Sequence, residues 1–316
     1  MKRRLFTALL CAMPMLAWSN YPEKPVRLIV PFTPGSITDV VARALAQGLN
    51  SELGQSVVVE NRAGANGIVG TTSAMQSAPD GYTLFMVGVS TGASNVSAFK
   101  SLPYDPRKDF EPIGLVADAP FMLVARSDLP VKSVSDLIEY AKANPEKLSY
   151  GYGSGSAQLC AAQVVSMGGF TATPIGYRGV PQAMTDLMAG VLDFTIADMV
   201  NGLQQSRSGH VTALGVTSKT RSPLAPELPT LDEAGLSGYD LTVWFGAAAP
   251  AGTPADVVTR LNEALGAVLR SPSLQEQFTA NGLTVRTSSA EGFRELIASD
   301  IDKWGQVFNA AGLTPQ

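Results

Sequence analysis

From Val26 onward the chain alternates short apolar runs with longer amphipathic stretches. "VRLIV" (26–30) is a short apolar run with the character of a buried strand. The segment after it, "ITDVVARALAQGLNSELG", puts Ile37, Val40, Val41, Leu45 and Leu49 on one helical face, and Gly54 supplies a stop. "SVVVE" (56–60) and "TLFMVGV" (83–89) read as two further strands, joined by a helix over about Ile68–Gln76. This βαβαβ order predicts a parallel sheet.

A loop-rich stretch, "SLPYDPRKDFEP" (101–112), interrupts the pattern. Two apolar runs follow, "IGLVADA" and "FMLVARS". A second alternating series opens at Ser133, which stands three residues before Asp136 in capping-box spacing. It runs through helix 133–144, strand "LSYGY", helix "QLCAAQVVSM", strand "TPIGY", helix "VPQAMTDLMAG", strand "DFTIADM", helix "GLQQSRS" and strand "VTALGVTS". The strand "LTVWFGAAA" then leads into a long helix after Pro254, a residue suited to a first turn. Two more helices, near 272–281 and 289–311, flank a short strand "LTVRT". Long helices at both ends and a self-contained α/β series between them predict a discontinuous first domain wrapped around an inserted second one. The expected bounds are 20–122 plus 241–316 for the first and 123–240 for the second, with two chain crossings and a cleft between two sheets.

The first nineteen residues change this picture. "MKRR" followed by "LFTALLCAMPMLAW" has the layout of a secretory signal, and the apolar run is too short to span a bilayer comfortably. Ala17 and Ser19 place small residues at −3 and −1, so cleavage is expected after Ser19. Losing Lys2, Arg3 and Arg4 takes three positive charges from a formal net of −4, leaving about −7. With no Lys/Arg cluster elsewhere, nucleic acid is excluded as a partner. The processed chain keeps one cysteine, Cys160, so it has no internal disulfide and relies on its core. Cys160 sits in an apolar helical pattern and reads as a buried small hydrophobe.

Ligands of open α/β sheets bind at the carboxyl ends of the strands. Three short Gly-bearing loops stand there and open a helix: "PFTPGSITD" (31–39), "YGYGSGSAQ" (150–158) and "GYRGVPQ" (176–182). Each exposes unpaired N–H groups at a helix N-terminus, which together suit an anion without any Lys or Arg. Neither G-x-x-x-x-G-K-[ST] nor G-x-G-x-x-G is present; "GYGSGS" ends in Ser156 where the last Gly belongs. A carboxylate therefore fits better than a nucleotide, and Thr33, Ser36, Ser154 and Ser156 supply extra donors. Asp39 lies three residues after Ser36, so its carboxylate is expected to turn back and brace the loop; the alternative is that it grips a ligand amine or water. Asp198 ends a strand and either meets a ligand group or caps the next helix. Trp244 and Phe245 either pack the core or form a ligand wall. The single histidine, His210, has no partner for a triad, and no H-x-x-H or C-x-x-C spacing supports a metal. No cofactor is implied.

Seven segments also carry a resemblance: "PFTPGSITDVVAR", "VVVENRAGANGIVG", "DGYTLFM", "YDPRKDFEPI", "PIGYRGVPQAMTDLMAGVLDF", "PTLDEAGLSGYD" and "WFGAAAPAGTP". In this order, from about Tyr21 to the C-terminus, the chain resembles the extracytoplasmic solute-binding proteins of tripartite tricarboxylate transporters, the Bug-type receptors. The resemblance implies an α/β, two-domain type II periplasmic binding-protein fold, each domain a sheet flanked by helices with the ligand cleft between. It implies a periplasmic, monomeric receptor that closes on one small carboxylate, a dicarboxylate or an aromatic acid, and delivers it to a membrane permease. It carries ligand contact onto Phe32, Thr33, Ser36, Ile37 and Thr38, onto Ser90 and Thr91, and onto Gly153, Ser154, Ser156, Tyr177 and Asp198. Two departures stand out: Ser36 replaces the family's second Gly, and "SAQLCAA" lacks the His that many members have there. An exported α/β hydrolase-like enzyme and a ligand-sensing receptor for a signalling partner are the competing readings; the lack of a usable histidine weighs against the first.

Overall fold

A computed structural model describes residues 21–316. The expected leader and its cleavage point at Ser19 lie outside the described residues. In chain order the strands are β1 (Val26–Val30), β2 (Val57–Asn61), β3 (Thr83–Gly88), β4 (Phe110–Arg126), β5 (Ser149–Tyr152), β6 (Thr173–Gly176), β7 (Phe194–Asp198), β8 (Val211–Val216), β9 (Thr242–Pro250) and β10 (Thr284–Val285). The helices are α1 (Ile37–Leu53), α2 (Ile68–Met75), α3 (Asn95–Ala98), α4 (Val134–Ala143), α5 (Gly155–Gly168), α6 (Val180–Met188), α7 (Met199–Arg207), α8 (Ala255–Leu269), α9 (Pro272–Ala280) and α10 (Ala290–Ala310). A π-helical turn, Ser90–Ser94, precedes α3.

The molecule is a two-lobed α/β fold. In the first lobe β2, β1 and β3 pair in parallel, and β9 runs antiparallel to β3. In the second, β5 pairs in parallel with β6 and β7. The two sheets are joined through the two apolar runs. Those runs merge into one 17-residue strand, β4, which belongs to both. Phe110–Pro120 pairs with β9, and Phe121–Arg126 pairs with β7 and β8. Pro120 lacks an N–H and marks the changeover, where one partner strand is left and others begin. The hydrogen-bonded path is β2-β1-β3-β9-β4-β7-β5-β6, with β8 and β10 also on β4.

Helix α1 buries most of the face its spacing predicts. Val41, Leu45 and Leu49 of α1 are buried against the sheet, and Gly54 ends the helix at φ 66°. Ser133 accepts the Asp136 N–H at the start of α4. The segment Ser90–Ala98 was not expected to be helical; eight of its nine residues are small or polar, so it lacks apolar periodicity. It is buried because α10 covers it. Trp304, Phe293 and Phe308 of α10 complete the first lobe's core. Among the described residues no helix is long and apolar enough to cross a membrane.

Candidate functional site

The strand ends β1, β3, β5, β6 and β7 all feed one narrow cavity between the lobes, of about 40 Å³.

The first wall is the loop before α1. Gly35 takes φ 79°, a conformation that lets the chain turn sharply into the helix. Ser36 is the N-cap and accepts the Asp39 N–H at 3.3 Å, and the Val40 N–H bonds the Ser36 carbonyl. The Ile37 and Thr38 N–H groups are left without a partner among the described residues. Phe32, Ser36, Ile37 and Thr38 line the cavity.

Asp39 points the other way. Its Oδ2 accepts the Gly35 N–H at 3.0 Å and Arg43 Nε at 2.9 Å, and its Oδ1 accepts Asn61 Nδ2 at 2.8 Å. Asn61 also donates to the Phe32 carbonyl. Burial works to raise this carboxyl's pKa, but the hydrogen bonds from Arg43, Gly35 and Asn61 and the Arg43 charge outweigh it, and the pKa is lowered. The group that looked contrary to an anion site is thus neutralised beneath the loop.

The second wall comes from three helix starts. Ser154 caps α5 by accepting the Ala157 N–H at 3.3 Å. Gly179 precedes α6, and Pro181 occupies its first turn. Asp198 caps α7, its Oδ1 accepting the Asn201 N–H at 3.0 Å and its Oδ2 accepting Asn201 Nδ2 at 2.8 Å. Capping does not remove Asp198 from the cavity, which it also lines. Burial raises its pKa, and the hydrogen bonds from Asn201 and Val200 oppose that only in part.

The lobes touch through hydroxyls and glycines. Ser90 Oγ accepts the Ser156 N–H at 3.1 Å and lies 3.0 Å from Ser156 Oγ, which is 3.3 Å from Ser154 Oγ. Gly153, Ser90, Ser154 and Ser156 all line the cavity. A Cβ on Gly155 would stand 3.0 Å from Asn95 Oδ1, and one on Gly179 would stand 2.2 Å from Thr33 Oγ1.

Three of the residues expected at the cleft do not line it. Thr33 sits at the seam, its Oγ1 buried without a hydrogen-bond partner. The turn at Ser90 sends Thr91 back into its own lobe, where its hydroxyl bonds the Gly88 backbone. Tyr177 packs in the second lobe's apolar cluster and donates its hydroxyl to Asp186 at 2.7 Å. The sequence reading missed Gly179 and Val180, although they lie in a loop it had singled out, and Gly88 and Val89, which end β3. Phe121 and Val243 carried no local signal, because they lie within the crossing strands. Of the adjacent pair on β9, Phe245 faces the cavity, while Trp244 donates its indole N–H to Asp300 Oδ2 at 2.6 Å and packs edge-on against Phe293.

Among the described residues no Lys, Arg or His lines the cavity. His210 is exposed, with Nδ1 2.9 Å from Gln205 Oε1. Cys160 is fully buried, and desolvation pushes its thiol up to about 12. Among the described residues no group of three or more His, Cys, Asp or Glu side chains could hold a metal ion.

A family profile described as "Tripartite tricarboxylate transporter family receptor" matches residues 41–313. The chain belongs to the tripartite tricarboxylate transporter receptor family. It is 36% identical to Protein BugT of Bordetella pertussis (strain Tohama I) over 296 residues, 93% of this chain and 91% of that protein. The solved periplasmic binding protein BugD superposes with a TM-score of 0.89 at 38% identity, covering 94% of this chain and 100% of that one. An R. palustris protein solved with adipate superposes with a TM-score of 0.90 at 34% identity, again over 94% and 100%. As a Bug-type receptor, this chain has its helix N-termini gathered where the two lobes of the fold meet.

Proposed function

We propose that the protein is a periplasmic receptor that captures a small organic carboxylate in the cleft between its lobes and hands it to a membrane permease. It performs no chemistry on the ligand. The observation that carries this reading is a cleft, without a cationic side chain among the described residues, into which helix N-termini and serine hydroxyls converge. Unpaired N–H groups hold a carboxylate without an ion pair, through the partial charge of the helix ends and hydrogen bonds that are charge-assisted on the ligand's side. The relative solved with adipate supports the ligand class.

The two domains are taken as 20–122 plus 241–316 and 123–240, hinged where β4 and β9 pass between the lobes. Closure about two strands suits capture and release of one small molecule. The expected form is a monomer, exported by the leader that ends at Ser19. The residues that hold the ligand are Phe32, Ser36, Ile37, Thr38, Ser90, Gly153, Ser154, Ser156 and Asp198.

A thermal-shift panel of dicarboxylates, aromatic acids, amino acids, sugars and nucleotides tests this. Carboxylates should raise the melting temperature through preferential binding to the folded state. A shift with sugars or nucleotides alone overturns the reading. Chemical change of a bound acid on long incubation would instead favour an enzyme.

A further inference from the structure

We propose that a carboxylate enters the cleft together with one proton, which Asp198 takes from solvent and presents to the ligand as a hydrogen bond. The inference rests on the carboxylate-receptor reading and specifies how that site accommodates the ligand's charge.

Asp198 stands at the polar end of the cleft. It is the N-cap of α7, and the N-caps of α5 and α6, Ser154 and Gly179, line the same cavity. In so narrow a space a bound carboxylate lies near each polar group of the wall. Asp198 is only 5% exposed, and it is the one carboxylate among the lining residues. Its oxygens accept from Asn201, backbone and side chain, which leaves its charge without a cation.

Among the described residues, the charged groups on the elements packed against Asp198 are engaged elsewhere. Arg126 of β4 pairs with Asp193, just before β7, and Asp118 of β4 pairs with Arg286. Asp186 of α6 accepts the Tyr177 hydroxyl, and Arg207 of α7 donates to the Leu224 carbonyl. β5 and α5 contribute Tyr150, Tyr152 and Cys160 but no carboxylate or cation. Across the cleft, Asp39 is paired with Arg43 beneath its loop. Arg178, in the loop before α6, is exposed and does not line the cavity.

Burial already raises the Asp198 pKa. A ligand carboxylate adds a second negative charge with no cation between the two. Two carboxylates sharing a dry site do not both stay ionised, so the pair keeps one proton. The ligand's carboxylate meets the uncapped N–H groups of α1 and α6, whereas Asp198 meets the start of α7 alone. More donors favour the ionised form on the ligand, and the proton therefore resides on Asp198. Its O–H then replaces repulsion with a charge-assisted hydrogen bond. Monoacids and diacids are treated alike, because the effect concerns the carboxylate held at the helix starts.

Titration calorimetry on the processed chain tests this with adipate, succinate and benzoate. Measured at pH 7 in phosphate and in imidazole, whose ionisation heats differ, the binding heats give the protons taken up. Each acid that binds should bring in about half a proton or more. Its affinity should fall as pH rises from 6.5 to 8.5, at most by about tenfold per pH unit, the limit for one linked proton. These acids are themselves ionised throughout that range. Asp198→Asn keeps a good helix cap. It should bind with no proton uptake and with an affinity that pH does not change. Asp198→Ser, which also caps, should do the same if the Asn variant folds poorly.

Binding to the wild-type protein without proton uptake overturns this inference and leaves the receptor reading standing. So does an uptake that persists undiminished in both variants. If no acid of the thermal-shift panel binds, the receptor reading itself fails, and this inference with it.

Discussion

Ser90 Oγ and Ser156 Oγ lie 3.0 Å apart, although one follows β3 in the first lobe and the other opens α5 in the second. The Ser156 N–H also donates to Ser90 Oγ. These bonds exist only when the lobes are together. Ser90→Ala should therefore weaken every carboxylate by a similar factor, since it costs closure and a hydroxyl that any carboxylate would meet. A buried N–H left unpaired costs about 1–3 kcal/mol. Calorimetry over several acids checks this; a loss confined to one acid would make Ser90 a specificity residue instead.

Gly179→Ala should hinder closure. The backbone there is extended, at φ −174°, so a side chain brings no strain by itself. Its Cβ would meet Thr33 Oγ1 at 2.2 Å, across the seam. Overpacking costs about 1–3 kcal/mol, drawn here from the closed form and hence from affinity. The unliganded melting temperature should hardly move. Adding Thr33→Ala removes the clashing atom and leaves the Thr33 Cβ at an ordinary 3.4 Å, so the double variant should regain affinity. Small-angle scattering with and without ligand would report closure directly.

Asp39→Asn should lower stability at neutral pH by about 0.5–2 kcal/mol, the range for a lost capping interaction. The effect should depend on pH with a defined sign. The folded pKa lies below the unfolded value of about 3.9, so the unfolded chain binds more protons in that range. The stabilisation is complete above the unfolded value and is lost as pH falls through the folded one. Melting curves from pH 7 to pH 3 should show wild type and variant converging at the acid end. Curves that stay parallel would remove Asp39 from this role.

Asp198 should behave in the opposite sense. Its pKa is raised by burial, so the folded state holds the proton to higher pH than the unfolded chain does. Its contribution is most favourable below the unfolded value and declines as pH rises through the folded one. Asp198→Asn, with its cap preserved, should gain stability relative to wild type between pH 4 and pH 7. Melting both proteins without ligand is the check.

Asp300→Ala should unsettle the first lobe. Asp300 Oδ2 accepts the indole N–H of both Trp244, at 2.6 Å, and Trp304, at 3.3 Å. Removing it leaves two buried donors unpaired, about 1–3 kcal/mol each. Denaturant unfolding measures the loss, and Trp244 fluorescence should shift with it.

Much of this molecule was legible in the order of its residues. Alternation of apolar runs with helical faces gave the element order, because burial of one face is a local property of spacing. The spacing of Ser36 to Asp39 and of Ser133 to Asp136 pointed to caps, because a helix start needs only three neighbouring residues to satisfy its first N–H groups. The gathering of Gly- and Ser-bearing loops on one cleft followed from their place at strand ends.

Other features depended on residues far apart in the chain. Nothing local distinguishes Trp244 from Phe245; the partner Asp300, 56 positions away, draws one inward and leaves the other to the cleft. Tyr177 and Thr91 sit in the right loops, yet Asp186 and the Gly88 backbone hold their hydroxyls away from the cavity. The two apolar runs around Pro120 became one strand because β9 supplies partners for the first part, and β7 and β8 for the second. The sequence by itself thus determined most of the strands, helices and caps, since these rest on neighbours a few residues apart, while Ser90–Ala98 became helical only under the cover of α10. The tertiary structure decided which side chains of those loops and of the crossing strands face the cavity, because that choice is made by competing partners brought together from distant parts of the chain.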